Sequence, residues 1–368
     1  MLDYFVFTLR KSENRSMNNN LFDPNGIVPD NGNYFSMPVT AEDAALVLIS
    51  APWDTTVSVR AGSSYAPDAI IEASRHIDLY EPSAPNSWRK GIATLPIDYS
   101  IQDLSHRLRS DAERVVKAGE EFGVSILNNI MHERRLRRVN EGSETMNRLI
   151  YDEAKRWFDK GKIVGLVGGD QSTAYGAIRA AGERYGKIGI LHIDSHCDLR
   201  ESHHGFQHSH SSIMHNVLRD VKEVERLVSV GVREFSPAEW ERAESDERIR
   251  LFTGQQIWTK HFEGVVWATI CDEIIAELPE KVYLSLDIDG LTIECSPHTG
   301  TLVPGGLRFP EVVYLLGRVV ASGRQIVGFD LTEVVPDMED KTDAVIAARL
   351  LFKICSMALK KCDAPDVL

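Results

Sequence analysis

KIGILHIDSHCD, residues 187 to 198, begins as a mostly apolar run and breaks abruptly into two aspartates, a histidine, a serine and a cysteine. An apolar run this short reads as a strand covered on both faces. The same texture recurs in ALVLIS (45–50), KIVGLV (162–167), LVSVGV (227–232), KVYLSLDI (281–288) and QIVGFDL (325–331). Between these runs, amphipathic patterns near 101–122, 143–160, 172–184, 309–321 and 340–360 read as helices. Strands alternating with helices build a mainly parallel sheet with helices on both faces, a three-layer α/β/α architecture. No repeat or linker interrupts the pattern, so residues 41–368 are expected to form a single domain. Residues 1–40 are polar, carry the turn signals NNN, DPNG and DNGN, and read as an N-terminal extension.

The chain has 54 acidic against 41 basic residues, a formal charge of −13. Nucleic acid and anionic membranes, which require a positive footprint, are excluded as main partners, whereas a small cationic ligand is attracted. The basic cluster ERRLRR (133–138) runs against this trend and reads as a solvated helix end or loop. No apolar stretch approaches the ~20 residues of a membrane span, and the N-terminus turns charged too early for a signal peptide. The five cysteines are scattered and lack CxxC spacing, which fits reduced thiols in a cytoplasmic protein.

In a parallel sheet, ligands gather beyond the carboxyl ends of the strands. If the chain stays extended after residue 193, Asp194, His196 and Asp198 share one face, while Ser195 and Cys197 point away. Asp287 and Asp289 repeat the two-residue spacing at the end of another apolar run. Four unpaired buried carboxylates would cost several kcal/mol each. Divalent cations remove that cost, and a set of carboxylate oxygens with one imidazole suits Mn²⁺, with Fe²⁺, Co²⁺, Ni²⁺ and Zn²⁺ as alternatives. Two ions bridged by shared carboxylates form a layout that acidifies water. The turn GGDQS (168–172) also follows a strand and admits three readings: an anion cradle, the rim of a metal site, or a tight corner.

Together, GGDQS (168–172), DSHCD (194–198) and SLDIDGL (285–291) resemble the metal signatures of the ureohydrolase family, which contains arginases, agmatinases and formimidoylglutamases. The resemblance extends through WDTTVSVRAGSSYAPDAIIEAS (53–74), SVGVRE (229–234), TGTLVPGGL (299–307) and DLTEVVP (330–336). It implies an arginase-like fold and a two-ion manganese site, with Ni²⁺ as an alternative. By resemblance, Asp194 and Asp287 bridge the ions, His196 and Asp289 serve one, and Asp198 serves the other. The family's remaining ligand is the histidine of GGDHS, and here that position is Gln171. One site is therefore expected to be weakened, or a single ion to suffice. Asp198, Glu333 and His210 are the implied catalytic residues. Asp198 would bond the attacking water, Glu333 would grip the guanidinium, and His210 would protonate the leaving amine, with His208 as its substitute. Of the other histidines near the motif, His192 reads as a satisfied core residue and His203 and His204 as exposed, while Cys197 reads as a small buried hydrophobe. The implied activity is agmatinase-like hydrolysis of a guanidino or amidino C–N bond, releasing urea and an amine. Arginine, guanidinobutyrate, guanidine and formimidoylglutamate are alternative substrates. A binding or regulatory subunit that has lost hydrolysis is the alternative from a different class. Family members form homo-oligomers, trimers or hexamers.

Overall fold

The computed structural model describes residues 22–26, 29–123, 129–360 and 364–368. Eight strands form one sheet: β1 (Leu46–Ala51), β2 (Ile92–Thr94), β3 (Ile163–Gly168), β4 (Ile188–Ile193), β5 (Val224–Val230), β6 (Ile249–Phe252), β7 (Lys281–Asp287) and β8 (Gln325–Thr332). Their order is β2-β1-β3-β8-β7-β4-β5-β6, and every pairing is parallel. β1 and β4 are buried at every position, the signature of strands sandwiched between helical layers.

Among the described residues, ten helices cover the faces: α1 (Ala66–Ser74), α2 (Tyr99–Phe122), α3 (Ile130–Asp159), α4 (Ala174–Tyr185), α5 (Ile213–Asp220), α6 (Pro237–Ser245), α7 (Gly254–Phe262), α8 (Trp267–Ala276), α9 (Phe309–Ala321) and α10 (Thr342–Leu359). Their ends are chemically marked. Asn129 accepts bonds from the amides of Met131 and His132 at the start of α3, and Ser236 and Thr253 form capping boxes on α6 and α7. The basic cluster lies on α3, where Arg135 and Arg138 both face Asp111 of α2, at 3.6 and 2.7 Å. Among the described residues, no helix is long and apolar enough to cross a membrane.

The three-layer, parallel reading holds throughout. Two strands carry no signal of their own in the sequence: the edge strands β2 and β6, three and four residues long. Within the N-terminal stretch, Tyr34, Phe35 and Met37 are buried in the core, with Tyr34 Oη 2.9 Å from Ser50 Oγ and Phe35 edge-on to Phe352.

The strand order places the functional residues. The chain builds outward through β1 and β2, returns to the centre at β3, and then builds the other way through β4, β5 and β6. β8 and β7 fill the gap between β3 and β4, so four central strands end side by side where the winding reverses. The pairs Ile193↔Leu286 and Asp287↔Thr332 bring Asp194, Asp287 and Glu333 to one level.

Candidate metal-binding active site

The GGDQS turn is a tight corner whose amides are already used. Gly169 N–H donates to Ala51 O at 2.7 Å, Asp170 N–H to Trp53 O at 2.8 Å, and Gln171 N–H to Glu333 Oε1 at 2.9 Å. Ser172 N–H turns back to Asp170 Oδ1 at 3.0 Å. No row of free N–H groups remains for a phosphate, so the anion-cradle reading falls. Gly169 is there for space: a Cβ would sit 1.8 Å from the Trp53 carbonyl oxygen and 2.6 and 2.8 Å from its backbone carbon and nitrogen. Gly169→Ala is therefore expected to cost about 3 kcal/mol or more in chemical denaturation. A loss below about 1 kcal/mol would show that the turn can move aside.

β4 ends at Ile193, so DSHCD is not a continued strand. Asp198 sits at φ 54°, which bends the segment, yet Asp194, His196 and Asp198 still converge. The expectation that Ser195 points away from the ligands is overturned, because β4 has already ended and strand alternation no longer applies. Ser195 is buried, and both its N–H and its Oγ–H donate to Asp289 Oδ1, at 3.0 and 2.8 Å. It thereby ties the β4 loop to the β7 loop. Asp289 N–H in turn donates to Asp287 Oδ1 at 2.8 Å, and Gly290 passes so close to Asp194 that a Cβ would lie 2.7 Å from its backbone nitrogen.

Two groups of ligand-type side chains result: Asp194, His196 and Asp289, and His192, Asp194 and Asp198. In each, one donor atom per residue lies within 4.8 Å of the others, and Asp194 belongs to both. Asp287 lines the same cleft, together with His196, Asp198, His210, Asp289 and Glu333. A more open cavity of about 790 Å³ lies elsewhere, bordered by residues such as Arg75, Tyr80 and Trp88.

The electrostatics show what the cleft lacks. Burial, then the neighbouring charge of Asp194, pushes Asp198 well above the usual carboxylate range, and burial with Asp289 does the same to Asp287. Burial and then Asp170 raise Glu333 likewise. Burial works to lower His196, but Asp289 and Asp194 override it and push the imidazole up to about 12. Burial first, and like charge second, thus disfavours the ionised carboxylates, a cost that a divalent cation offsets with the donor set present.

His210 lines the cleft, whereas His208 packs against Tyr175, with ring centroids 5.2 Å apart, and does not. Burial, followed by His203 and His196, lowers His210 to about 3, so its imidazole is neutral at physiological pH. Cys197 is buried in the core and its thiol is pushed up by burial, as expected of a small hydrophobe. Glu333 sits at φ 61°, a left-handed backbone that is costly for glutamate. Its N–H donates to Gly169 O at 2.8 Å, its carbonyl accepts from Thr299 Oγ1 at 2.9 Å, and its carboxylate accepts from Gln171 N–H. The turn and the glutamate are one mechanical unit.

Gln171 is fully buried beside the cluster, not in the cleft wall. Its side chain reaches His192, Nε2 to Nε2 at 3.2 Å, and its Oε1 is buried with no hydrogen-bond partner. His192, expected to be an ordinary core histidine, contacts the cluster directly, with Nε2 2.9 Å from Asp194 Oδ2. The sequence contained a signal for it, since residues 192, 194, 196 and 198 share one parity. Also unanticipated were Glu234, whose Oε2 lies 3.8 Å from His196 Nε2, and the loop from Val57 to Arg60 that borders the cleft.

A wholly parallel sheet with a carboxylate and imidazole cleft beyond its central strands defines an α/β protein with a candidate site for divalent cations. The chain belongs to the Arginase family, whose sequence model matches residues 44–356. It is 29% identical over 311 residues to an N(1)-aminopropylagmatine ureohydrolase of Thermus thermophilus, covering 84% of this chain and 89% of that protein. It is 26% identical over 308 residues to an agmatinase of Bacillus anthracis, covering 83% and 89%. The fold matches that of the agmatine ureohydrolase of Thermoplasma volcanium, with a TM-score of 0.66, 22% identity, and 90% and 96% of the two chains covered.

Proposed function

We propose that this chain is a cation-dependent hydrolase that splits a guanidino C–N bond of a substrate with a cationic tail, agmatine first, giving urea and an amine. The observation that carries this reading is Glu333, a buried carboxylate anchored at three points and facing a cleft lined by His196, Asp198, Asp287 and Asp289. A carboxylate accepts two parallel N–H bonds from a planar guanidinium, which fixes the carbon in place for attack. The slot holds only about 20 Å³ and shares His196, Asp198 and His210 with an adjoining cavity of about 180 Å³, which suits a flat head with a trailing tail.

When bound, two divalent cations, manganese in this proposal, lower the pKa of water and offset the carboxylates. Asp194, His196, Asp287 and Asp289 are the residues to hold one, and Asp194, Asp198 and Asp287, with Gln171 behind them, the other. Asp198 accepts a hydrogen bond from the attacking water and so orients its lone pair toward the guanidinium carbon. His210, neutral on entry, takes the proton that the attacking water loses and delivers it to the nitrogen of the departing amine as the C–N bond breaks.

The tail preference rests on the rim. Arg60 faces Asp337 at 3.5 Å and Arg200 faces the buried Glu239 at 3.5 Å, so both nearby arginines already have carboxylate partners. Glu234, 62% exposed at its side chain, presents a carboxylate to the adjoining cavity. An ammonium tail is favoured there over a carboxylate tail. The reading as a binding or regulatory protein draws on Gln171 alone. Cytoplasmic location belongs to the same proposal and is supported by free Cys197, Cys271, Cys295 and Cys355. So does assembly into trimers or hexamers, for which the exposed Phe262 and Val266 are suitable apolar contacts.

The test is product release by manganese-loaded protein from agmatine, N(1)-aminopropylagmatine, arginine, guanidinobutyrate, guanidine and formimidoylglutamate. Agmatine is expected to exceed arginine and guanidinobutyrate in kcat/KM by about tenfold or more, the equivalent of ~1.4 kcal/mol from one rim charge. Turnover of none of them would favour the non-catalytic reading, and preference for a carboxylate-tailed substrate would overturn the role given to Glu234.

A further inference from the structure

We propose that His192 is a nitrogen ligand of the second cation, supplying from β4 the imidazole that position 171 lacks. This rests on the reading of the cleft as a two-cation site. His192 is fully buried, and its Nε2 faces the Asp194 carboxylate at 2.9 Å. With Asp194 and Asp198 it offers one nitrogen and two oxygens within 4.8 Å of one another, a donor set that suits a borderline divalent ion. The other ring nitrogen has a partner for the tautomer that this role requires. The parallel register pairs His192 with Ser229, and Nδ1 lies 3.1 Å from Ser229 Oγ. With Nδ1–H donated to that hydroxyl, the lone pair is on Nε2, the atom turned toward the cluster. Ligand histidines are held by their second nitrogen in this way.

Gln171 gives independent support. Its amide nitrogen is 3.2 Å from His192 Nε2, a contact compatible with that tautomer, in which the amide donates to the ring. Its Oε1, fully buried and without a partner, is left to the same small volume, an arrangement that costs free energy unless a cation or its water satisfies it. Gln171 is then a positioning residue for the imidazole, and the substitution at 171 relocates a ligand rather than deleting one.

Elemental analysis and titration calorimetry with manganese test this without any substrate, so failure here is separate from failure of the hydrolase reading. The wild type is expected to hold two ions per chain. His192→Ala and His192→Gln should each hold one, with the second weakened by more than the roughly 10–100-fold that loss of an outer-shell partner produces. Gln171→His in the His192→Ala background should return the second ion. His192→Gln keeps an N–H donor toward Asp194, so a residue that merely orients Asp194 would leave two ions in that variant. A measurement on the wild type covers the case in which these variants fail to fold. Cobalt-loaded protein should show two hyperfine-shifted, exchangeable imidazole N–H signals, from His192 and His196. One ion per chain in the wild type, two tightly held ions in His192→Gln, or a single imidazole signal would each overturn the proposal.

Discussion

Asp194→Asn will leave a folded protein that has lost both cations and about a thousandfold or more of its urea release from agmatine, roughly 4 kcal/mol of transition-state stabilisation. Asp194 is the one residue common to both ligand groups, and it is fully buried. Asparagine preserves its volume, so the packing beneath Gly290 survives. What disappears is one negative charge and one acceptor oxygen at the point where the two groups meet. An amide nitrogen placed against the His196 backbone N–H, which lies 2.6 Å from one carboxylate oxygen, also reverses one hydrogen bond. Metal content by elemental analysis, thermal melting and urea release decide the matter together. Two retained ions with activity within about tenfold of the wild type would show that Asp194 is not the shared ligand.

Chelation will lower the melting temperature, and the gap between chelated and manganese-loaded protein will widen from pH 5.5 to pH 8. Asp198, Asp287 and Glu333 are raised in the folded, cation-free chain, chiefly by burial and then by like charges. Stability from groups of this kind is fully present below the unfolded carboxylate range near pH 4 and is lost as pH rises through their folded values. His196, held at about 12 against an ordinary 6.5, works in the same direction, because its proton must leave for a cation to enter. Cation binding displaces these protons, so affinity rises with pH while the cation-free fold weakens. At a free concentration one thousand times its Kd, each ion adds about 4 kcal/mol. Calorimetric melting at the two pH values measures the gap. Equal melting temperatures with and without chelator at pH 8 would remove the cation from the account of stability.

The inner architecture is legible because β1, β3, β4, β7 and β8 are buried on both faces and so read as unbroken apolar runs. The edge strands are not legible because three or four residues are too few to show a period. Tyr34, Phe35 and Met37 are hidden for another reason: turn-forming neighbours mask their burial, and Phe35 adopts φ 58°, which no propensity suggests. In the site, two-residue spacings announce Asp194, His196, Asp198, Asp287 and Asp289. His192 follows the same spacing but stands one step inside the strand, where a histidine reads as filler. Its neighbours Gln171 and Ser229 lie 21 and 37 residues away, and only strand order brings them together.

The strand order also divides the molecule into what is fixed and what is free to drift. The donor atoms hang from the ends of four inner strands, each flanked by another strand on both sides. The walls that meet a substrate's tail, such as Val59, Phe235 and Thr301, belong to loops outside the sheet. Change in those loops retunes which amine is accepted while the ligand frame stays untouched. In the proposed reading, substrate choice therefore rests on the part of the molecule that the sheet does not hold.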